Sequence, residues 1–528
     1  MYILYQLSII ILLSVSLSCQ SLNILVYSPI FGGSHSNFMG NIADTLTERG
    51  HNVTFLVPVF DVSRRNYTGV RLTKNVIIVE SNEEAGQNTQ ESDELDEGLR
   101  MFWTLENKPQ DFATCFEWFI NLMTSCCSTF LSKQSVIDQL QQTHFDIAIA
   151  EPISVCGLGL FSKLGIDKTI IASSTTQYEG VIRNSGEPID LSYVPSHGSQ
   201  YSNEMTIYER YSNWMADTFM AGNLERMFDM EMDVYRKRLG EKMEDWRELI
   251  PSASMFFTNS NPYIDFPRPI IQKTIQIGGI TVDMDRIRMK KLTDEWNEIL
   301  DRREKNMLIS FGSMVKSSQM PIEWRDTIVR VIETMNDVTF IWKYESDDVS
   351  FANGIDNIHF SKWVPQTALL VDNRLTAFLT HGGLGSTNEL SYIGKPAIMV
   401  PIFGDQTRNA NMLARHGGVI VLKKFDLSNE EMVRSAINRI LTDERYAENS
   451  LKVASLVENV PFKPKELVIK HTEFVAKYGP LKQLDPSIRQ LNWFQYTFTD
   501  IYIIIAIYYF TITIIPLLII YKLVRKYI

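Results

Sequence analysis

The sequence predicts an α/β protein with two parallel sheets, each covered by helices, followed by one apolar helix that leaves the body of the fold. Three observations carry this expectation. Near the N-terminus the apolar run Asn23 to Tyr27 passes through a glycine loop into a helical period and returns as a second apolar run, Val53 to Val57, which is the pattern of a βαβ unit with parallel strands. A similar pattern recurs between Met307 and Gln406. Ile501 to Tyr521 holds no charged residue and is long enough to cross a bilayer. At 528 residues the chain exceeds one hydrophobic core, so two domains are expected.

Composition excludes some functions. A formal net charge of -11 argues against a nucleic-acid backbone as partner. Part of the acidity is local, at Glu83-Glu84 and Glu91 to Glu97, a polar stretch without an apolar period that fits a solvated loop. The cysteines are Cys19, Cys115, Cys126, Cys127 and Cys156, and they form no pair of metal-type CxxC motifs. A disulfide is permitted in a secretory compartment, and buried thiols fit equally well.

Residues 1–19 read as a signal peptide, with the apolar run Leu7 to Leu17 followed by small residues at Ser16 and Ser18. Residues 20–265 form the expected first domain. Its first strand runs into Ser28 to Asn37, a glycine loop, and Phe38, Ile42 and Leu46 set the helical period that Gly50 stops. His35 lies in that loop, above the carboxyl ends of the strands, and an imidazole there suits a general base for a hydroxyl nucleophile. A base histidine needs a carboxylate to fix its tautomer. The apolar run His144 to Ala150 offers Asp146 at its start and Glu151 just past its end, and the carboxyl end of the strand is the edge that His35 occupies, which favours Glu151.

Two aromatic- and methionine-rich stretches follow the same half. Phe102, Trp103, Phe112, Phe116, Trp118, Phe119, Leu122 and Met123 belong to the first, and Tyr208, Tyr211, Trp214, Phe219, Met227 and Phe228 to the second. Most of these read as helical core, and a few would line an apolar ligand pocket. Asn52-Val53-Thr54 and Asn66-Tyr67-Thr68 are glycosylation sequons. Asn52 falls where a strand should start, so Asn66 is the better acceptor.

Residues 266–280, punctuated by Pro267, Pro269, Gly278 and Gly279, read as the connection to a second domain at 281–460. Its first strand, Met307 to Phe311, ends in Gly312-Ser313, and strands are expected at Val338 to Lys343 and Ile358 to Phe360. Trp363 follows that last strand, with Pro365 fixing a turn and Gln366 offering both a donor and an acceptor. An indole in this place can stack a nucleobase. The strand LTAFLT then runs into His381-Gly382-Gly383, and a helical pattern starts at Ser386-Thr387 and stops at Gly394-Lys395-Pro396. Unpaired backbone N–H groups and the positive end of the helix dipole make this junction an anion site. The next strand, Ala397 to Pro401, delivers Asp405 and Gln406 to the same crevice.

The spacing of His381, Gly383, Ser386, Glu389, Pro396, Pro401, Asp405 and Gln406 resembles the signature of the UDP-glycosyltransferase family. Thr407 to Met412 is similar to the animal membrane-bound branch, the UDP-glucuronosyltransferases and their glucosyl-transferring relatives. Ser34-His35 and Arg49 to Thr54 resemble the family's N-terminal catalytic-histidine segment. The resemblance covers nearly the whole chain. It implies two Rossmann-like domains facing across a cleft, the GT-B fold, with the acceptor in the first half and the nucleotide sugar in the second.

Carried onto this sequence, the resemblance gives His35 the role of base and Glu151 that of its partner. Ser313, His381 and the amides near Gly383 would hold the diphosphate, Trp363 and Gln366 the uridine, Glu389 the ribose, and Asp405 and Gln406 the sugar hydroxyls. Two positions depart from the commonest pattern. Glu151 stands where an aspartate is usual, and Gly385 where many relatives carry an asparagine, for which Ser386 would substitute. The implied reaction moves a hexosyl group, glucuronosyl ahead of glucosyl, from UDP-glucuronate or UDP-glucose to a hydroxyl of a small lipophilic acceptor with inversion. A catalytically dead lumenal binding protein is the distant alternative. No metal and no cofactor are expected, since the UDP-sugar is a co-substrate; nucleic acid is not a partner, and a homo-oligomer is compatible. Residues 461–500 would return to the first domain and 501–521 would span the membrane. Lys522, Arg525 and Lys526 would hold the tail, 522–528, in the cytoplasm. The resulting single-pass type I protein would keep its catalytic domains in the lumen of the endoplasmic reticulum.

Overall fold

The structure, a computed structural model, describes residues 21–81, 100–106, 113–176, 178–240 and 242–528. The leader expected at 1–19, Cys19, Phe112 and the acidic stretch 83–97 lie outside the described residues.

Seven strands, β1 (Asn23–Tyr27), β2 (Asn52–Val59), β3 (Asn75–Glu80), β4 (Ile147–Ala150), β5 (Thr169–Ser173), β6 (Met255–Thr258) and β7 (Thr274–Gln276), form one sheet in the order β3-β2-β1-β4-β5-β6-β7. Every pairing is parallel. The second sheet has the order β10-β9-β8-β11-β12-β13, again all parallel. Its strands are β8 (Lys305–Ser310), β9 (Val338–Lys343), β10 (Ile358–Ser361), β11 (Leu375–Thr380), β12 (Ala397–Met399) and β13 (Val419–Val421).

Both sheets bury their two faces, which explains why their strands are continuous apolar runs. In β1, Leu25 and Tyr27 enter one core while Ile24 and Val26 enter the other, the period of two that a pleated strand imposes. In β8, Met307 and Ile309 alternate in the same way with Leu308. The chain order reverses between β1 and β4 in the first sheet and between β8 and β11 in the second. Such reversals open a crevice at the carboxyl ends of the strands. Each sheet therefore has one built-in site, and the residues after β1, β4, β8 and β11 line them.

The helices that matter for the site are α1 (Gly33–Glu48), α2 (Ala113–Leu131), α3 (Cys156–Lys163), α4 (Glu179–Ser185), α5 (Ile207–Leu239), α6 (Leu384–Ile393), α7 (Gln406–Ala414), α8 (Pro464–Tyr478) and α9 (Thr499–Tyr527). Val468, Val475 and Ala476 of α8 belong to the core of the first sheet. Lys168 Nζ donates to the Ala476 carbonyl at 2.6 Å, and Arg49 Nε meets Glu473 at 3.0 Å. The end of the chain thus returns to the first domain. Helix α9 then runs 29 residues through Pro516, with a mean hydropathy of 2.6 in its apolar window and none of that window buried. That helix is compatible with a membrane span by length and composition.

Four details differ from the sequence expectation. His35 sits in the first turn of α1 and not in a loop before it, because Gly32 with extended backbone is the N-cap. Helix α6 begins at Leu384, two residues before Ser386. Residues 274–276, inside the expected connection 266–280, are β7, the edge strand beside β6; three residues between glycine and proline signals are too few to show a strand period. Trp103, from the first half, is fully buried in the core of the second domain.

A disulfide joins Cys127 of α2 to Cys156, the first residue of α3. It closes a separation of 29 residues, a constraint worth about 3–4 kcal/mol in the chain-entropy account. Beside it, Glu231 of α5 is fully buried and accepts from Ser154 Oγ and from the Val155 amide, each at 2.7 Å. Burial pushes its carboxyl up to about 8, against the lowering effect of those hydrogen bonds. The folded chain therefore keeps a proton that the unfolded chain gives up above about 4.5, and stability declines as pH rises through that window. Glu231→Gln should flatten the decline. Urea midpoints of detergent-solubilised protein at pH 5 and pH 8 should differ less for the variant than for the parent, and an equal difference would reject the protonated carboxyl.

Candidate active site

The first half-site forms where β1 and β4 part. The opening turn of α1 carries the His35 side chain, 15% exposed, to the edge on which Glu151 follows β4. His35 Nδ1 lies 2.7 Å from Glu151 Oε1 and 2.7 Å from Ser174 Oγ, and the Ser174 amide donates to the same Glu151 oxygen at 3.3 Å. A carboxylate only accepts, so the tautomer with its hydrogen on Nδ1 is the one this pair selects, and Nε2 remains as the basic nitrogen. Glu151 is fully buried, and its Oε2 has no hydrogen-bond partner among the described residues. Asp146, at the start of the strand, instead accepts from the Asn23 amide at 2.8 Å and ties β4 to β1. Phe31 packs over the His35 ring with centroids 4.3 Å apart, and Phe119 of α2 meets Phe31 at 6.3 Å. The base thus has an apolar wall.

The second half-site forms where β8 and β11 part. His381 follows β11 and is enclosed by two glycines: a Cβ on Gly312 or on Gly383 would come within 2.5 Å of its ring. Gly312 also holds a φ of 89°, where a side chain is strained. Burial lowers the His381 pKa to about 4, with Asp405 opposing and Lys343 adding to the shift. At neutral pH the ring is uncharged and carries one N–H. Gly383 is the N-cap of α6, so that helix points its unpaired amides at the space beside His381.

Around this centre the remaining candidates fall at varied depth. Trp363 is 71% exposed, which keeps it out of the core and leaves its indole open to a ligand. Gln366 Nε2 donates to Glu389 Oε2 at 2.7 Å and Ser386 Oγ at 3.1 Å, binding three candidates into one cluster. Burial pushes the Glu389 carboxyl up, against Gln366 and Lys290. Asp405 Oδ2 accepts from Asn409 at 2.8 Å. Gln406 is buried, and its Oε1 accepts from the amides of Ile402 and Phe403 at 2.8 and 3.1 Å, so only its NH₂ is left for a ligand. Gly385 faces open space, and Ser386 is engaged by Gln366.

The half-sites meet. Arg64 Nη2 donates to the Ser313 carbonyl at 2.7 Å, and a Cβ on Gly33 would stand 3.8 Å from Ser313 Oγ. Arg408, fully buried on α7 just past Gln406, pairs with Asp265 at 2.8 Å and donates to the Pro195 carbonyl at 3.1 Å. Tyr178 of the first domain has its hydroxyl pushed up by burial, and then by the charges of Glu151 and of Asp405, so both carboxylates lie within electrostatic reach of one phenol.

Two groups at this site escaped sequence reasoning. Ser174 was signalled only by the polar run Ser173 to Thr176 directly after an apolar strand. Lys343, the last residue of β9, donates to the Gly312 carbonyl at 2.5 Å and to Glu345 at 3.1 Å, and lies 5.9 Å from the Trp363 ring centre. It is a buried cation at the edge of an anion site, and a strand-terminal lysine ordinarily reads as solvent-facing. Both sequon asparagines are exposed, and Asn52 is held at the start of β2, where it donates to Asn23 Oδ1 at 2.8 Å.

The family description "UDP-glucoronosyl and UDP-glucosyl transferase" matches residues 23–528. The chain belongs to the UDP-glycosyltransferase family. A Caenorhabditis elegans protein bearing the UDP-glucuronosyltransferase name ugt-55 is 30% identical over 455 residues, covering 85% of this chain and 86% of its own length. UDP-glucuronosyltransferase 1A7 of Mus musculus is 25% identical, covering 89% and 86%. Among solved structures, a UDP-glucosyltransferase from Polygonum tinctorium superposes with a TM-score of 0.59 at 13% identity, over 88% of this chain and all of the other. Os79 from O. sativa gives 0.59 at 14% identity, over 86% and 100%. These likenesses place the UDP-glycosyltransferase chain in the GT-B fold.

Proposed function

We propose that this UDP-glycosyltransferase moves a glucuronosyl group from UDP-glucuronate to a hydroxyl of a small lipophilic acceptor, with inversion. The single observation that carries the reading is the His35–Glu151 pair, held at one sheet's switch point and facing the anion site of the other. The acceptor hydroxyl binds against the Phe31 and Phe119 wall. Its oxygen attacks the anomeric carbon and its proton passes to His35 Nε2. The bond between that carbon and the diphosphate oxygen breaks on the opposite face, so an α-linked donor yields a β-glycoside. Charge left on UDP meets the N-terminus of α6, the neutral His381 N–H and Lys343. Holding both substrates in line supplies about 7–11 kcal/mol of the barrier reduction.

Trp363 stacks the uracil, Gln366 and Glu389 take the base edge and ribose, and Ser313 lies beside the diphosphate. Asp405 and the Gln406 NH₂ read the sugar. Helix α9 anchors the body in the lumen of the endoplasmic reticulum as a type I protein, with Asn66, outside any strand, as the better glycosylation position. The names of the relatives favour glucuronate. Glucose is the second reading, favoured by the absence of a basic side chain among the residues assigned to the sugar.

Donor competition tests the choice. With UDP-glucuronate and UDP-glucose offered together at equal concentration, the product should carry mainly glucuronate, and a mainly glucosylated product would reassign the donor. No transfer from either would reject the transferase reading.

A further inference from the structure

Residues 100–104 are helical and come from the acceptor half, yet Phe102 and Trp103 reach onto the donor half. Trp103 is fully buried in the core of the second sheet, its ring centre 5.0 Å from Phe311 and 6.3 Å from Trp324. Its Nε1 donates to the Lys316 carbonyl at 3.2 Å. Phe311 and Lys316 lie on either side of the turn Gly312-Ser313, whose Gly312 packs on His381. Phe102 stacks on Phe403 with centroids 4.4 Å apart and planes at 19°. The Phe102 carbonyl accepts from Lys424 Nζ at 2.7 Å, and the same Nζ donates to the Ile402 carbonyl at 2.9 Å. Ile402 and Phe403 are in turn the residues whose amides bind Gln406 Oε1. One buried ammonium therefore joins a carbonyl of each half.

The Phe102 contacts converge on the loop 402–406, which carries both candidate sugar contacts, while Trp103 anchors the segment in the second core. We infer that Phe102, on a segment anchored by Trp103, is a cross-domain brace that sets the sugar end of the donor site, so that the acceptor half is a positioning determinant for the sugar. The inference rests on the assignment of Asp405 and Gln406 to the sugar. Phe102 touches Phe403, two residues from Asp405, while Gln366 and Glu389, assigned to the nucleoside, are bonded to each other. Loosening the brace should weaken binding of the sugar and spare that of the nucleotide.

Calorimetry on the detergent-solubilised full chain, without acceptor, tests this with UDP, UDP-glucose and UDP-glucuronate as probes. A stacked aromatic pair is worth enough that its loss costs about three- to tenfold in affinity. Phe102→Ala should raise the Kd of the UDP-sugar that binds the parent more tightly by that factor and leave the Kd of UDP within twofold. Phe102→Tyr, which keeps the stack, should restore parental values. Lys424→Met removes the tie from the other side and should give the same split; it serves if Phe102→Ala does not fold. Equal losses for UDP and UDP-sugar, or an unchanged UDP-sugar Kd, would overturn the brace. Because no turnover is read, this failure is separate from that of the transferase reading, which the donor competition decides.

Discussion

His35→Ala should lower kcat by about 10²–10⁴-fold while the Kd for UDP stays within twofold of the parent. The expectation follows from where the side chain stands. His35 belongs to the first sheet's crevice, and its side chain meets Glu151, Ser174 and Phe31, none of them assigned to nucleotide binding. Removing the imidazole takes away the proton acceptor for the attacking hydroxyl and nothing that holds the leaving group. Steady-state transfer and UDP calorimetry on one preparation check both halves of the statement. Normal turnover would end the general-base role, and lost UDP affinity would show that the change had disturbed the cleft.

Glu151→Gln should be nearly as damaging, on the order of 10³–10⁴-fold in kcat, by analogy with a triad whose carboxylate becomes an amide. Glutamine keeps the shape but can present N–H toward Nδ1, and this stabilises the tautomer whose hydrogen sits on Nε2. The base is then occupied. Asp146→Asn should change turnover little, because Asp146 accepts from the Asn23 amide at the far end of the strand. A severe loss in Asp146→Asn together with a mild one in Glu151→Gln would move the role to the other carboxylate.

Much of this architecture was legible in the sequence, for physical reasons. Fully buried parallel strands must be apolar runs, so β1, β2, β8 and β11 stood out, and glycine turns after β1, β8 and β11 marked the switch-point edges. Glu151 was recoverable because a polar residue ending such a run falls on the same edge as His35. Trp363 was harder, since most tryptophans are core, and here exposure keeps it out of the core. What stayed hidden depended on tertiary contact. Nothing local in Phe102-Trp103 announces a partner more than two hundred residues away, and five cysteines could not reveal the Cys127–Cys156 bond. The three residues of β7 were masked by flanking glycines and prolines. Ser174 and Lys343 each follow ordinary strand-end chemistry, and only their distances to His35 and Gly312 set them apart.

The central claim is that His35 and Glu151 act as one unit, and a double-mutant cycle on kcat tests it most directly. Groups that work as a unit give strongly non-additive losses. The account predicts that His35→Ala/Glu151→Gln transfers sugar about as slowly as His35→Ala alone, since the carboxylate has no ring left to orient. A double variant slower by the product of the two single effects would contradict it.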